Sequence, residues 1–368
     1  MNTLLIDRAT YKIIKRNPTS SLQSKNNDLV KRLEQLKLID AKLAKKLRTY
    51  KAVCPRIYGQ PKAHKPGLPL RPVVPCMTAP SYQLSKYVGS IIQRSLTPKY
   101  SLKNSMEFNE YIKGVTIPPG YVMASFDVVS LFTSIPKELV RKSIFKHWSR
   151  LSMQTPICLD IFWEMVEFCM DSSYFCFNNT FYQQTSGLAM GSPIASPIAE
   201  LTLDDLLDDA IEACVTPPLH IKKYVDDLFL VLPPTQVNEI KNVFNAQHEN
   251  VQFTVEMEEN ESLPFLDMLL HRNEEVYKIE CNGNPDTSEE ENNEHKCDAC
   301  YIGCTIVKLK QRMSQHKTQT NELKRLWEKG YTNEDYAIIQ LRQQTALIEH
   351  EAAMHHLFDI DKVKIIDR

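Results

Sequence analysis

The sequence contains no long apolar run. No stretch approaches the roughly 20 apolar residues that a membrane-spanning helix requires. The N-terminal segment, residues 1–8, has no apolar core long enough for a signal peptide. Without a secretory signal, the ten cysteines are expected to be reduced thiols, with some serving as metal ligands. These absences predict an intracellular protein, in the nucleus or the cytoplasm, that has no membrane partner.

Acidic residues are missing from one long segment. Residues 41–106 contain no Asp or Glu, although thirteen Lys and Arg occur there. In residues 251–294 the balance reverses, with thirteen acidic residues against Arg272 and Lys278. The formal net charge of −1 hides this asymmetry. It indicates a local polyanion-binding surface rather than a uniformly basic protein.

Length and periodicity indicate a globular chain of mixed structure. The 368 residues, 43% of them apolar and 24% charged, suffice for about two domains. Leucines at helical spacing predict a pair of amphipathic helices in residues 27–50. A further helix is expected over residues 77–96, with Thr78 as its cap.

Two adjacent carboxylates interrupt an apolar, β-prone segment at Tyr224-Val225-Asp226-Asp227. Burying two like charges side by side is costly unless a cation lies against them. We therefore interpret the segment as a hairpin tip that presents an aspartate pair to bound divalent metal. A solvated turn that happens to contain Asp-Asp is the competing interpretation.

A third carboxylate, Asp127, ends an apolar segment that starts at Tyr121 and continues into a turn and a helix from Lys137. Alone, it would be interpreted as a helix cap or a turn residue. Together with Asp226 and Asp227 it completes the set of carboxylates that a two-metal phosphoryl-transfer site needs.

Residues 56–74 are punctuated by prolines and glycines and predict two short strands joined by turns. Lys62, Lys65 and Arg71 would project from this hairpin. Lysine and arginine suit a triphosphate or a nucleic-acid backbone, and a solvated basic loop is the alternative.

A second hairpin is expected over residues 175–182, around Asn178-Asn179. It leads into residues 184–197, which are rich in Gly, Ala and Ser. Such small residues let the backbone approach a neighbour closely, and a long helix is expected to follow.

Phe126-Asp127 with Phe132 five residues on, residues 187–197, and Tyr224-Val225-Asp226-Asp227 fall in the order of the palm motifs of reverse transcriptases. In finer wording they resemble the Penelope-like retroelement family, as do residues 56–74 and Leu263-Pro264-Phe265-Leu266-Asp267. The resemblance covers roughly residues 10 to 270. It implies an α+β, right-hand polymerase with fingers and palm in residues 1–270, in which helices pack on an antiparallel sheet.

The resemblance also implies residue roles. Asp127, Asp226 and Asp227 would hold two Mg²⁺ or Mn²⁺ ions, with Asp227 the least direct ligand. Phe132 would be the steric gate that favours dNTPs, and Gly191 would line the templating pair. Arg71, with Lys62 or Lys65, would bind the triphosphate. The partners implied are an RNA template, a DNA primer or target, and dNTPs.

A second resemblance begins after the palm motifs. Residues 275–279 and 301–305 are similar to a GIY-YIG endonuclease, which implies a small α/β module in residues 271–368 with an acidic insert at residues 282–294. By this resemblance Asp361 would bind one Mg²⁺, but it stands where the family has Glu, whose side chain is longer, which predicts impaired nuclease activity. The residues implied to be catalytic are Tyr277, Tyr301, Arg312, His316 and Asp361.

The same module contains a candidate zinc site. The Cys-x-x-Cys pair and a later His-x5-His pair have near zinc-finger spacing, and a single Zn²⁺ would suit them. Reduced cysteines on a polar loop are the alternative. The candidate ligands are Cys297, Cys300, His350 and His356, with Cys281 as a further candidate.

One departure from the family pattern concerns the thumb. Tyr277 follows Asp267 by ten residues, which leaves no room for a thumb and predicts weak retention of the primer and template. The leading hypothesis is an RNA-directed DNA polymerase with an attached, impaired endonuclease. A truncated copy that only binds nucleic acid is the alternative, and a nuclease alone is disfavoured because the palm motifs occupy most of the chain.

Overall fold

The chain divides into two compact units, residues 1–284 and 285–368. The computed structural model describes residues 4–8, 10–61, 70–266, 268–272, 279–281, 320–329 and 332. In the second unit, residues 320–328 form a helix, in which Arg325 and Glu322 make an ion pair of 2.9 Å. The predicted domain boundary at residue 270 stays a prediction.

Helices make up much of the first unit. Those in the described residues are α1 (Thr19–Gln35), α2 (Ala41–Leu47), α3 (Tyr82–Ser95), α4 (Ser105–Ile112), α5 (Leu131–Ser134), α6 (Lys137–Lys146), α7 (Trp148–Leu151), α8 (Leu159–Asp171), α9 (Ala195–Ala213) and α10 (Val237–Ala246). None of the described helices is both long and apolar enough to cross a bilayer.

The strands of the first unit are short and pair antiparallel. They are β1 (Tyr11–Ile14), β2 (Tyr58–Pro61), β3 (Leu70–Val73), β4 (Val122–Val128), β5 (Tyr174–Phe177), β6 (Thr180–Gln184), β7 (His220–Tyr224), β8 (Asp227–Leu232), β9 (Phe253–Met257), β10 (Ser262–Phe265), β11 (Met268–His271) and β12 (Ile279–Cys281). They form sheets in the orders β7-β8-β4-β9, β1-β6-β5 and β10-β11-β12, together with a separate β2-β3 hairpin. The antiparallel sheets agree with the predicted α+β class.

The four-stranded sheet lies between two apolar clusters. On β4 and β8, alternate residues such as Phe126 and Leu230 join the larger cluster, which also contains buried side chains of α3, α9 and α10. The intervening residues Met123, Phe229 and Val231 pack with α4, β10 and β11. Since side chains alternate between the faces of a strand, Asp127 and Asp227 lie on the face opposite the α9 helix.

Turn chemistry agrees with several expectations. Asn178 and Asn179 connect β5 to β6 with φ of 46° and 59°, the left-handed backbone that a two-residue hairpin turn requires.

The amphipathic helix pair is also present, as α1 and α2, although α1 begins eight residues earlier than the predicted range.

The expected cap at Thr78 is wrong. The α3 helix begins at Tyr82, after a 3₁₀ turn over Cys76–Thr78. The Thr78 hydroxyl instead donates to the carbonyl oxygen of Val53, at 3.2 Å. Thr78 therefore joins two loops rather than starting the helix.

Candidate functional site

The predicted metal-binding motif forms the tip of the β7–β8 hairpin. Tyr224 pairs with Asp227, so Val225 and Asp226 make up a two-residue turn. Val225 has φ of 56°, which is unfavourable for a β-branched residue. Backbone strain of this kind concentrates at functional sites, where the surrounding structure maintains it.

Asp127 lies directly opposite Asp227 in the antiparallel pairing of β4 with β8. The backbone N–H of Val128 donates to the carbonyl oxygen of Asp226 at 3.1 Å, which makes Asp127 and Asp227 a non-hydrogen-bonded pair. The Cα atoms of such a pair are about 4.5 Å apart, and their side chains share one face. The structure thus brings the backbones of the three predicted aspartates together at one end of the central strands.

The side chains of Asp127, Asp226 and Asp227 are all half-buried. Asp127 and Asp227 are like charges directly opposite each other in a strand pair, an arrangement that a nearby cation stabilises. Carboxylate oxygens are the ligands that magnesium and manganese prefer. The backbone positions and the donor atoms therefore fit a divalent ion.

The side chains themselves are not gathered into a ligand set. Among the residues that the structure describes, no three His, Cys, Asp or Glu side chains form a group that could hold a metal ion. The fit therefore rests on the register of β4 with β8 and on the turn, not on an assembled coordination sphere.

Phe132, the predicted gate, lies in the short α5 helix just after β4. Its side chain is partly buried against the larger apolar cluster. Its carbonyl oxygen accepts a hydrogen bond from the backbone N–H of Leu188, at 2.5 Å. Residues 187–191, which we call the clamp loop, thus contact the segment that carries Phe132.

The other end of the clamp loop meets the β2–β3 hairpin. The backbone N–H of Val74 donates to the carbonyl oxygen of Met190 at 3.0 Å. Gly191 has φ of 106°, and a Cβ atom there would lie 2.2 Å from the carbonyl oxygen of Val74. Arg71 lies three residues before Val74, on β3, and is exposed.

The remaining predicted site residues lie outside the described residues. Lys62 and Lys65 fall between β2 and β3 in the sequence. The others belong to the predicted endonuclease and zinc sites: Tyr277, Tyr301, Arg312, His316, Asp361, Cys297, Cys300, His350 and His356.

A buried cation next to the hairpin tip was missed from the sequence. Lys223 is 0% exposed, and its Nζ atom lies 2.6 Å from Asp204 and 3.1 Å from Glu200, both on α9. Desolvation raises the pKa of the Asp204 carboxyl, against the opposing effect of Lys223. The sequence carried a signal, since one of two consecutive lysines in a strand must face the helices.

The comparisons with known proteins give structural neighbours only. No protein family's sequence profile matches the chain, and no curated protein matches it. A telomerase from Candida tropicalis, solved with a fragment of telomeric RNA, has a TM-score of 0.50 and 10% identity, over 83% of this chain and 54% of that chain. A Candida albicans telomerase has a TM-score of 0.49 and 10% identity, over 95% and 62% of the two chains.

A viral enzyme is also among the similar structures. The BmCPV RNA-dependent RNA polymerase has a TM-score of 0.43 and 10% identity, over 73% of this chain and 26% of that chain. The chain thus spans less than two thirds of the length of each of these neighbours. The likeness to the Candida tropicalis telomerase, together with the antiparallel sheets and packed helices, identifies a polymerase-like fold.

Proposed function

We propose that the chain is an RNA-directed DNA polymerase of a Penelope-like retroelement. The observation that carries the proposal is the pairing of Asp127 with Asp227 beside the strained turn at Val225. Two facing carboxylates and a third in the adjoining turn supply the oxygen ligands that magnesium and manganese prefer. The polymerase-like fold supports the same conclusion.

In this proposal, Asp127, Asp226 and Asp227 hold two Mg²⁺ or Mn²⁺ ions, with Asp227 the least direct ligand. When bound, the ions lower the pKa of the attacking primer 3′-hydroxyl and stabilise the leaving pyrophosphate. The protein otherwise contributes position and charge, as is usual in phosphoryl transfer.

Other residues bind and select the nucleotide. Arg71, exposed at the end of the β2–β3 hairpin, binds the triphosphate together with Lys62 or Lys65. The ring of Phe132 occupies the place of a ribose 2′-hydroxyl and so favours dNTPs. Gly191, which has no side chain, lets the backbone approach the templating base pair.

The test is primer extension on an RNA template with dNTPs and Mg²⁺ or Mn²⁺. We expect Asp226→Asn, which removes the charge but keeps the side-chain shape, to reduce incorporation to background. Asp209→Asn is the matched control, because Asp209 lies on α9 and contacts Lys142 and Lys146 at the surface. Equal incorporation by the wild type and Asp226→Asn would contradict the proposal. RNA binding without any incorporation would favour the nucleic-acid-binding alternative.

We extend the proposal to the C-terminal residues. Tyr277, Tyr301, Arg312, His316 and Asp361 would form an endonuclease that nicks target DNA, and Cys297, Cys300, His350 and His356 would bind one Zn²⁺. Metal-dependent nicking of duplex DNA should disappear in Arg312→Ala, and unchanged nicking would exclude this site. Zinc content of the purified protein, measured by elemental analysis, should fall in Cys297→Ser.

A further inference from the structure

The clamp loop connects two parts of the proposed nucleotide site through its backbone. One end contacts α5, the short helix that carries Phe132. The other end contacts Val74, the residue that follows β3. Both contacts join backbone atoms to backbone atoms, so neither yields to a side-chain rotation. A loop held in this way fixes the spacing between the segments it joins.

At the Phe132 end, Gly187 leaves no room for a side chain. Its φ is 71°, and an added Cβ atom would lie 2.4 Å from Thr133 Cα and 2.6 Å from the Phe132 carbonyl oxygen. These distances are far below ordinary carbon contacts, so any side chain at position 187 must displace the turn that carries Phe132. The same carbonyl oxygen accepts the Leu188 N–H, and Leu188 is itself buried in the larger core.

The Val74 end is equally tight, because a Cβ atom on Gly191 would lie 2.2 Å from the Val74 carbonyl oxygen. Val74 is buried in a separate small cluster with Tyr11, Ile57 and Phe175. The two hydrogen bonds that anchor the loop involve Leu188 and Met190, and the three residues 188–190 span roughly 10 Å at most. The β3 strand, and Arg71 with it, therefore cannot move away from the Phe132 turn without breaking these contacts.

We propose that the clamp loop determines sugar selectivity by holding Phe132 at a fixed distance from Arg71. This inference rests on the proposed polymerase function. A triphosphate bound by Arg71 would place its sugar against the Phe132 ring only while this spacing is kept. Gly187 is thus a specificity-determining residue that acts through the position of Phe132 rather than by touching the nucleotide, and Gly191 adds the same restraint to its role beside the templating base pair.

The experiment measures kcat/KM for a dNTP and for the matching rNTP in primer extension. Gly187→Ala should lower the dNTP preference by roughly tenfold to a hundredfold, since a displacement of about 1 Å changes rates by this order. Because the preference is a ratio measured on one sample, partial loss of folded protein does not alter it. Gly191→Ala strains the other end of the loop and gives a second test if Gly187→Ala does not fold; because Gly191 also lies beside the proposed templating base pair, misincorporation of dNTPs is measured with it to separate the two effects.

Gly120→Ala is the matched control. Gly120 also has positive φ, of 85°, but no atom lies within 4 Å of its added Cβ, so this variant has the backbone strain without the collision. It should keep the wild-type preference, and Phe132→Ala should lose it.

The inference is overturned if a folded Gly187→Ala or Gly191→Ala variant keeps the wild-type preference while Phe132→Ala loses it. An equal loss of preference in Gly120→Ala would overturn it as well. A wild-type chain that incorporates no nucleotide would instead refute the proposed function, and the inference with it.

Discussion

Replacing the buried Lys223 with Met should destabilise the fold strongly. Methionine keeps much of the apolar stem but removes the charge that lies between Glu200 and Asp204. Breaking a buried ion pair by removing one partner costs about 3–5 kcal/mol, because an uncompensated charge is left behind. The uncompensated carboxylates would lie against β7, the strand that leads into the Asp226 turn.

The magnitude should lie at the lower end of that range. Glu200 and Asp204 remain 22% and 18% exposed, so water screens them in part. The Lys223 Nζ and Asp204 Oδ1 atoms are close, but their angles are poor for a hydrogen bond. We expect a loss of about 3 kcal/mol in the free energy of unfolding, measured by urea denaturation at neutral pH.

The variant should also show a diagnostic pH dependence. Desolvation already raises the pKa of Asp204, and without Lys223 the pKa rises further. The folded variant then holds a proton at pH values where the unfolded chain has released it. Its stability therefore increases as the pH falls from neutral towards the ordinary Asp value of 3.8. Adding Asp204→Asn to Lys223→Met should recover much of the loss at neutral pH.

Lys222→Met is the matched control on the same strand. Lys222 is half-buried and lies 4.7 Å from the centroid of the Tyr111 ring, a contact whose loss costs about 0.5–1 kcal/mol. A loss below about 1 kcal/mol in Lys223→Met, or a larger loss that neither acid nor Asp204→Asn relieves, would refute the reasoning.

Two further predictions concern the same hairpin. Burial lowers the pKa of His220 from its ordinary 6.5, so below pH 6.5 the unfolded chain binds more protons than the folded chain. The melting temperature should therefore drop as the pH falls through 6.5, and it should drop less in His220→Gln. Val225→Gly should relieve the left-handed strain of about 1–2 kcal/mol, part of which the greater freedom of glycine in the unfolded chain offsets. It should raise the melting temperature slightly while reducing primer extension, whereas a lowered melting temperature would show that Val225 is not strained.

Local patterns predicted the local structure of this site well. The apolar segments on each side of Asp226-Asp227 predicted the β7–β8 hairpin, and Asn178-Asn179 predicted the β5–β6 turn. These elements depend on backbone preferences and alternation over a few residues, which one sequence displays directly.

Contacts between residues far apart in the sequence were harder to predict. The sequence placed Asp127 at a strand end, but its partner Asp227 is one hundred positions away, and no periodicity determines such a register. The ion pairs of Lys223 with α9 were missed for the same reason, although the spacing of Glu200, Asp204 and Asp208 marks an acidic stripe on one helix face. The expectation that Thr78 caps α3 was wrong, because the Thr78 hydroxyl donates to a carbonyl oxygen in a distant loop.

At this end of the central sheet, the two faces carry side chains of opposite charge. Asp127 and Asp227 share one face, that of the proposed metal site, while Lys223 lies on the other face against the carboxylates of α9. The backbone of Lys223 is also bonded to Tyr100 and Leu102, at 2.9 and 2.7 Å. Because these contacts restrain β7 next to the Asp226 turn, the carboxylates of the proposed metal site can be held in place before an ion binds, as a preorganised site requires.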